Sequence, residues 1–221
     1  MKTRSQSVTA YKAIEVEVHK IMSDIKSPKD FPLLHTKLEN LKTLCDQEHF
    51  KFQDIHNYFR ELKPEFVNNT IIGHSLTQPY GYAGDFEIID KFYTNHTSDN
   101  QEYRVWDQYI QSIHSVKAVR NRKVFFKELV KSLFTNQEEF KILNIASGPA
   151  RDLCEVYEQT PNSDKIKATC VDMDPFAIQF GRDVTHKYAA KINFVQKNIF
   201  KFLTEEKYCL LYTSPSPRDR G

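Results

Sequence analysis

The chain of 221 residues corresponds to about one and a half domains at roughly 150 residues each, so one large domain or two unequal ones is expected. Hydrophobic residues make up 40% and charged residues 27%, with 16 Phe and 11 Tyr, which excludes a disordered chain and leaves ample apolar material for a packed core. Lys and Arg number 31 against 29 Asp and Glu, and a net charge of +2 gives no global argument for nucleic acid or an acidic membrane as partner.

In chain order, the start MKTRSQSVTAYKAIEV lacks the apolar stretch of a secretory signal. No run approaches the ~20 apolar residues of a membrane span, so a soluble, cytoplasmic protein is expected. Tyr11, Ile14, Val18, Ile21 and Ile25 recur at steps of three and four, predicting an amphipathic helix that ends before Ser27-Pro28. Leu34, Leu38, Leu41 and Cys45 repeat the pattern, as do Phe52, Ile55, Phe59 and Leu62 before Pro64. These three stripes must pack together or against another surface. A loop is predicted over Asn68 to Tyr82, then helices over about Phe86 to Tyr93, Glu102 to Ile113 and Ser115 to Phe134.

The pattern then changes. KILNI at Lys141 to Ile145, IKATCV at Ile166 to Val171 and INFV at Ile192 to Val195 are short, apolar and partly β-branched, with helical stretches between them. This is a βαβαβ order and predicts a parallel sheet in an α/β fold. The last segment, CLLYTSPSPRDRG at Cys209 to Gly221, differs abruptly in composition and resembles the translation of a sequencing adapter. Native sequence is therefore expected to break off near Tyr208. The expected organisation is a helical cap region over 1–136, a truncated cofactor-binding Rossmann-like domain over 137–208 and a non-native tail over 209–221.

Six glycines in the whole chain leave neither a GxGxxG loop nor a Walker phosphate loop. The four cysteines show no CxxC spacing and suit a reducing compartment. The eight histidines show no pair at ligand spacing, and no metal is expected. What remains is the segment ILNIASGPARD, Ile142 to Asp152: a strand, a turn of small residues and a helix beginning near Arg151. Such a turn lets a ligand approach backbone N–H groups at a helix N-terminus. The second predicted strand ends in Asp172, where nucleotide-binding α/β folds hold a ribose hydroxyl pair, and Asn198 follows the third. Asp174 before Pro175 reads as a helix cap, and Asp85 reads as an N-cap more than a catalytic base.

At these residues a family resemblance can be named. ILNIASGPARD resembles motif I of the class I S-adenosylmethionine (SAM) dependent methyltransferases, and CVDMDP resembles their second motif. With PYGYAGDFEIID at Pro79 to Asp90 and AVRNR at Ala118 to Arg122, the chain is similar to bacterial proteins of extracellular factor 3-hydroxypalmitic acid methyl ester biosynthesis, from about Gly73 to Tyr208. The resemblance implies that Ala146, Ser147 and Gly148 line the methionine part of SAM, that Asp172 holds the ribose and that Asn198 sits by the adenine. Two departures stand out: Asn144 where an acid is usual, and Ala146 and Ala150 in place of glycines, so a tighter or altered turn is expected.

The implied reaction is methyl transfer to an oxygen of a carboxylate on a small, apolar, hydroxy fatty acid-like acceptor. No catalytic dyad is assigned. Tyr82, in a loop bracketed by Gly81 and Gly84, is the residue expected to reach the pocket, and Arg120 and Arg122 could grip a carboxylate bidentately. They stand in a stretch, Lys117 to Lys131, with six basic residues against one Glu. His74 and His114 are weaker acid or base candidates. A methyltransferase sheet has seven strands where three are legible here, so this chain is expected to be inactive and to bind SAM weakly or not at all. Two other readings remain open. One is a noncatalytic helical interaction module with a degenerate nucleotide-binding domain; the other, disfavoured by the single glycine of the loop, is an NAD-dependent oxidoreductase.

Overall fold

The computed structural model describes residues 4–47, 57, 60–61, 63–134 and 139–205. The predicted third stripe, from Phe52 to Leu62, and the tail from Cys209 lie outside the described residues. The chain divides into two compact units, Met1–Val119 and Arg120–Gly221. The sequence reading divides it at 136/137 instead. The division falls earlier because Phe126, Val130 and Phe134, on the last helix before the sheet, pack into the sheet's own core.

The first unit is helical. Helix α1 spans Arg4–Asp24 and α2 spans Phe31–Gln47, joined by a 3-10 turn at Pro28–Asp30. The predicted stripe is the buried one: Ile14, Val18, Ile21 and Ile25 all face inward, with Leu34 and Cys45 opposite them on α2. Asp30 stops the chain between the two helices by accepting from Ser27 N–H (2.9 Å) and Lys26 N–H (3.0 Å). Beyond lie α3 (Pro64–Asn69), α4 (Ile71–Thr77), α5 (Phe86–Tyr93) and α6 (Gln101–Ser112). The long α7 (His114–Leu133) starts in this unit and ends in the second. Phe66 of α3 meets the edges of Tyr103 and Trp106 at 5.7 and 5.4 Å between centroids, in a core that also holds Ile21, Ile25 and Leu34.

The predicted loop over Asn68 to Tyr82 is corrected by α3 and α4, which occupy most of it. Local propensity is poor there, but distant groups hold the backbone. The Thr70 hydroxyl accepts from Gly73 N–H (2.9 Å), and Asp107, 36 residues away on α6, accepts from Ile71 N–H (2.8 Å). Gly73 is itself required by packing, since a Cβ there would fall 1.9 Å from the Val67 carbonyl oxygen. The second carboxylate oxygen of Asp107 takes Ser98 N–H (2.8 Å), so one fully buried acid anchors both α4 and the 94–100 turn.

The second unit is α/β. Strands β1 (Phe140–Ile145), β2 (Ile166–Asp172) and β3 (Ile192–Gln196) form a parallel sheet in the order β1-β2-β3. Helix α8 (Arg151–Gln159) leads from β1 towards β2, α9 (Pro175–Val184) from β2 towards β3, and α10 (Ile199–Glu205) follows β3. All three predicted strands are present to within a residue at each end. Register pairs Asn144 with Cys170 and Cys170 with Phe194, so side chains of all three strands share one face at that level. Leu153, Val156, Ile166 and Cys170 are fully buried in the core between α8 and the sheet. Lys123 and Lys127 of α7 both reach Glu155 of α8, tying those helices together. Among the described residues, β1 has no strand along its other edge. No described helix is long and apolar enough to cross a membrane.

Candidate functional site

The C-terminal ends of the three strands converge on the turn from Ala146 to Ala150. Each residue of that turn has a reason for its conformation. Ser147 N–H donates to the Val171 carbonyl (3.3 Å) within a sharp turn that has three left-handed residues, Ala146 (φ 52°), Gly148 (φ 50°) and Ala150 (φ 50°). Glycine adopts this region without steric cost; alanine does not. The two alanines thus sit in the backbone conformation that glycine would take most readily, and the turn is held despite that strain.

What holds it is Asp172. Its Oδ2 accepts from Gly148 N–H (2.9 Å) across from β2 to the turn, and its Oδ1 accepts from Asp174 N–H (3.0 Å). Two backbone donors on a half-buried carboxylate leave lone pairs on both oxygens for further donors. Gly181 of α9 lets the turn and β3 come close, because a Cβ there would lie 2.8 Å from the Phe194 ring and 3.4 Å from the Gly148 carbonyl oxygen. Asp174 caps α9 through Phe176 N–H (2.8 Å), in the role read from the sequence. Asn198 is exposed, and its side-chain carbonyl accepts from Phe200 N–H (2.9 Å), so it serves as a turn cap at the start of α10. Met173 and Phe176, which follow β2, and Phe200, which follows β3, are 68%, 63% and 76% exposed.

Beneath the turn, polar groups are left unpaired. Asn144 Nδ2 and Ser147 Oγ are buried with no hydrogen-bond partner among the described residues. Both border Cys170: Asn144 is its register partner, and Ser147 lies beside its thiol. Asp152, in the first turn of α8, also acts on that thiol, and burial drives the thiol well above its ordinary pKa. The Asp152 carboxyl is itself pushed up to about 6 by burial, which outweighs the Leu153 N–H bond to its Oδ1 (3.0 Å) and the pull of Arg122 and Lys123. Asp152 was not singled out in the sequence, where an acid in the first turn of a helix is routine.

The other sequence candidates divide between the two units. Arg120 and Arg122 belong to the same unit as the turn, both half-buried, with Arg122 within electrostatic reach of Asp152. Tyr82, His74 and His114 belong to the first unit, and His114 is exposed at the start of α7. His74 is buried, and its Nε2 donates to both oxygens of Asp85 (2.8 and 3.0 Å), while Nδ1 lies 3.3 Å from Lys91 Nζ. Asp85 meanwhile caps α5 through Glu87 and Ile88 N–H (both 3.0 Å). Burial raises the Asp85 carboxyl, but the bonds from His74, Ile88 and Glu87 outweigh it and leave the group below its ordinary value. A polar cavity of about 400 Å³ opens here, lined by Thr70, His74, Glu87, Lys91, His96 and Ser98 among others. Among the described residues no three His, Cys, Asp or Glu side chains group as metal ligands.

No family model matches the chain, and no curated protein matches it in sequence. Among solved structures, a possible exported protein from Bordetella parapertussis is similar at 17% identity with a TM-score of 0.42. The match covers 53% of this chain and 38% of that one, so it spans well under half of that protein's length.

Proposed function

We propose that the second unit binds S-adenosylmethionine and that the protein is a class I methyltransferase acting on a carboxylate oxygen of a small apolar acceptor. The observation that carries this reading is Asp172. It ends β2, closes the β1 turn through Gly148 N–H, and keeps acceptor capacity for the two hydroxyls of a ribose. The orphaned Asn144 Nδ2 and Ser147 Oγ fit a ligand whose other end is polar, since unpaired buried groups of this kind cost about 1 to 3 kcal/mol each unless something satisfies them. SAM, when bound, supplies an electrophilic methyl on a sulfonium. The chain's part is to hold and align. A carboxylate acceptor is ionised at neutral pH and needs orientation more than a general base, which suits the half-buried guanidiniums of Arg120 and Arg122 as a bidentate grip.

The test is an amide NMR titration of the 221-residue chain with S-adenosylhomocysteine, with NAD as control. Weak binding is expected, with a Kd on the order of 1 mM, equivalent to about −4 kcal/mol. Shifts of the Gly148 and Asp172 amides with S-adenosylhomocysteine, and none with NAD, are expected. Unmoved amides at 5 mM ligand (about five times that Kd) would sink the proposal.

A further inference from the structure

We infer that the polar cavity of the helical unit is a binding site for a neutral polyhydroxylated molecule of the size of a hexose or hexitol. The cavity holds about 400 Å³, within the range of small-molecule sites, and all of its lining residues belong to Met1–Val119. Its inner charged groups are already paired. Asp85 holds His74 Nε2–H (2.8 Å), which leaves His74 Nδ1 facing Lys91 Nζ (3.3 Å). Lys91 in turn pairs with Glu87 (2.9 Å), and Glu87 accepts from the Tyr80 hydroxyl (3.0 Å). Asp99 and His96, the other ionisable lining groups, are exposed to water. A charged ligand would have to break the inner pairs or enter without a counter-charge, and both are costly. What stays open is uncharged hydrogen-bonding capacity of both kinds. Ser98 is 5% exposed, and its hydroxyl accepts from Asn100 N–H (3.2 Å) but has no acceptor for its own hydrogen among the described residues. The Asn100 side-chain carbonyl caps α6 through Glu102 N–H (2.9 Å), which leaves its amide NH2 to donate. Asn69 is the reverse case: its NH2 donates to the Glu65 carbonyl (2.8 Å), which leaves its own carbonyl to accept. A hydroxyl donates and accepts at one atom, so several hydroxyls on a compact neutral frame match donors and acceptors that line one space. A phosphate would leave the acceptors unmet, and an ammonium would leave the donors unmet. The same polarity makes the cavity a poor seat for the apolar acceptor proposed above, and the inference stands independently of SAM binding.

The experiment is an amide NMR titration of the whole chain with four neutral probes, glucose, mannose, sorbitol and myo-inositol, and with inorganic phosphate and putrescine as charged controls. At least one neutral probe should shift the Ser98 and Asn100 amides saturably, with a Kd of a few millimolar, while neither control does. Two variants then test the open groups. Ser98→Ala removes the buried hydroxyl, and Asn100→Asp keeps an equally good helix cap but replaces the free amide donor with an acceptor. Each should weaken the responding probe by about tenfold, with circular dichroism to verify the fold. Asn100→Asp keeps the test decisive if Ser98→Ala fails to fold. Three results would overturn the inference: no shift from any neutral probe at about 50 mM, roughly ten times that Kd; a larger response to phosphate or putrescine; or a folded Asn100→Asp variant that binds the responding probe as the wild type does.

Discussion

Asp107 in the helical unit and Asp172 at the end of the sheet have the same local task. Each is an aspartate that gathers two backbone N–H groups from separate segments and so fixes a turn that local propensity would leave open. Their surroundings differ. Asp107 is 0% exposed, and its burial raises the carboxyl despite the bonds from Ile71 and Ser98 N–H. Asp172 is half-buried, so its carboxylate keeps contact with solvent and acceptor capacity on both oxygens. A carboxylate closed into a core is an anchor. A carboxylate that holds a turn and stays partly open to solvent can still accept from further donors.

The largest effect should separate these two roles. Asp107→Ala strands two buried N–H groups and should lower stability by about 2 to 4 kcal/mol in urea denaturation. Asp172→Ala, where water can replace the lost acceptor, should cost about 1 kcal/mol yet abolish the S-adenosylhomocysteine shifts. Equal losses of stability would erase the distinction.

Asp152 offers a sharper case, because its folded pKa is raised to about 6 from an ordinary 3.8. A raised acid contributes its full stability below the unfolded value and loses it as pH rises through the folded one. At pH 7.5 the ionised group therefore weighs against folding, and Asp152→Asn should stabilise the chain by roughly 1 to 2 kcal/mol, an advantage that vanishes near pH 3.8. Thermal melts at the two pH values check this.

The smallest effect lies in the turn. Ala146 is exposed at φ 52°, so Ala146→Gly should relieve strain and raise stability by about 0.5 to 1 kcal/mol. Ala150, at φ 50° but only 1% exposed, loses a packed methyl worth about 0.8 kcal/mol when changed to Gly and should come out near zero. Matching urea midpoints for the two variants would contradict the assigned burial.

Much of the secondary structure was legible because it is written in local periodicity. The stripe Ile14, Val18 and Ile21 is the buried face of α1, with Ile25 buried just past its end, the helix Phe86–Tyr93 begins and ends where its sequence signals place it, and all three strands lie where short β-branched runs stand. The helices α3 and α4 were not legible, since Asn68, Asn69 and Gly73 read as breakers and the groups that override them, Asp107 and the Val67 backbone, act through space. The site was legible in outline. Gly148 and Asp172 could be paired from their spacing, whereas the cap that Asn198 makes to Phe200 N–H and the surroundings of Asp152 gave no local signal.

By itself, then, the sequence determined the strands, most of the helices, the inward face of α1 and the parallel sheet, because each depends on residues within a few positions of one another. Tertiary structure alone decided which polar groups are matched. Whether a carboxylate meets two amides and is closed off, as at Asp107, or meets two amides and stays partly exposed, as at Asp172, depends on long-range neighbours, with one amide of each pair brought from 36 and 24 residues away. That difference in surroundings is invisible to periodicity.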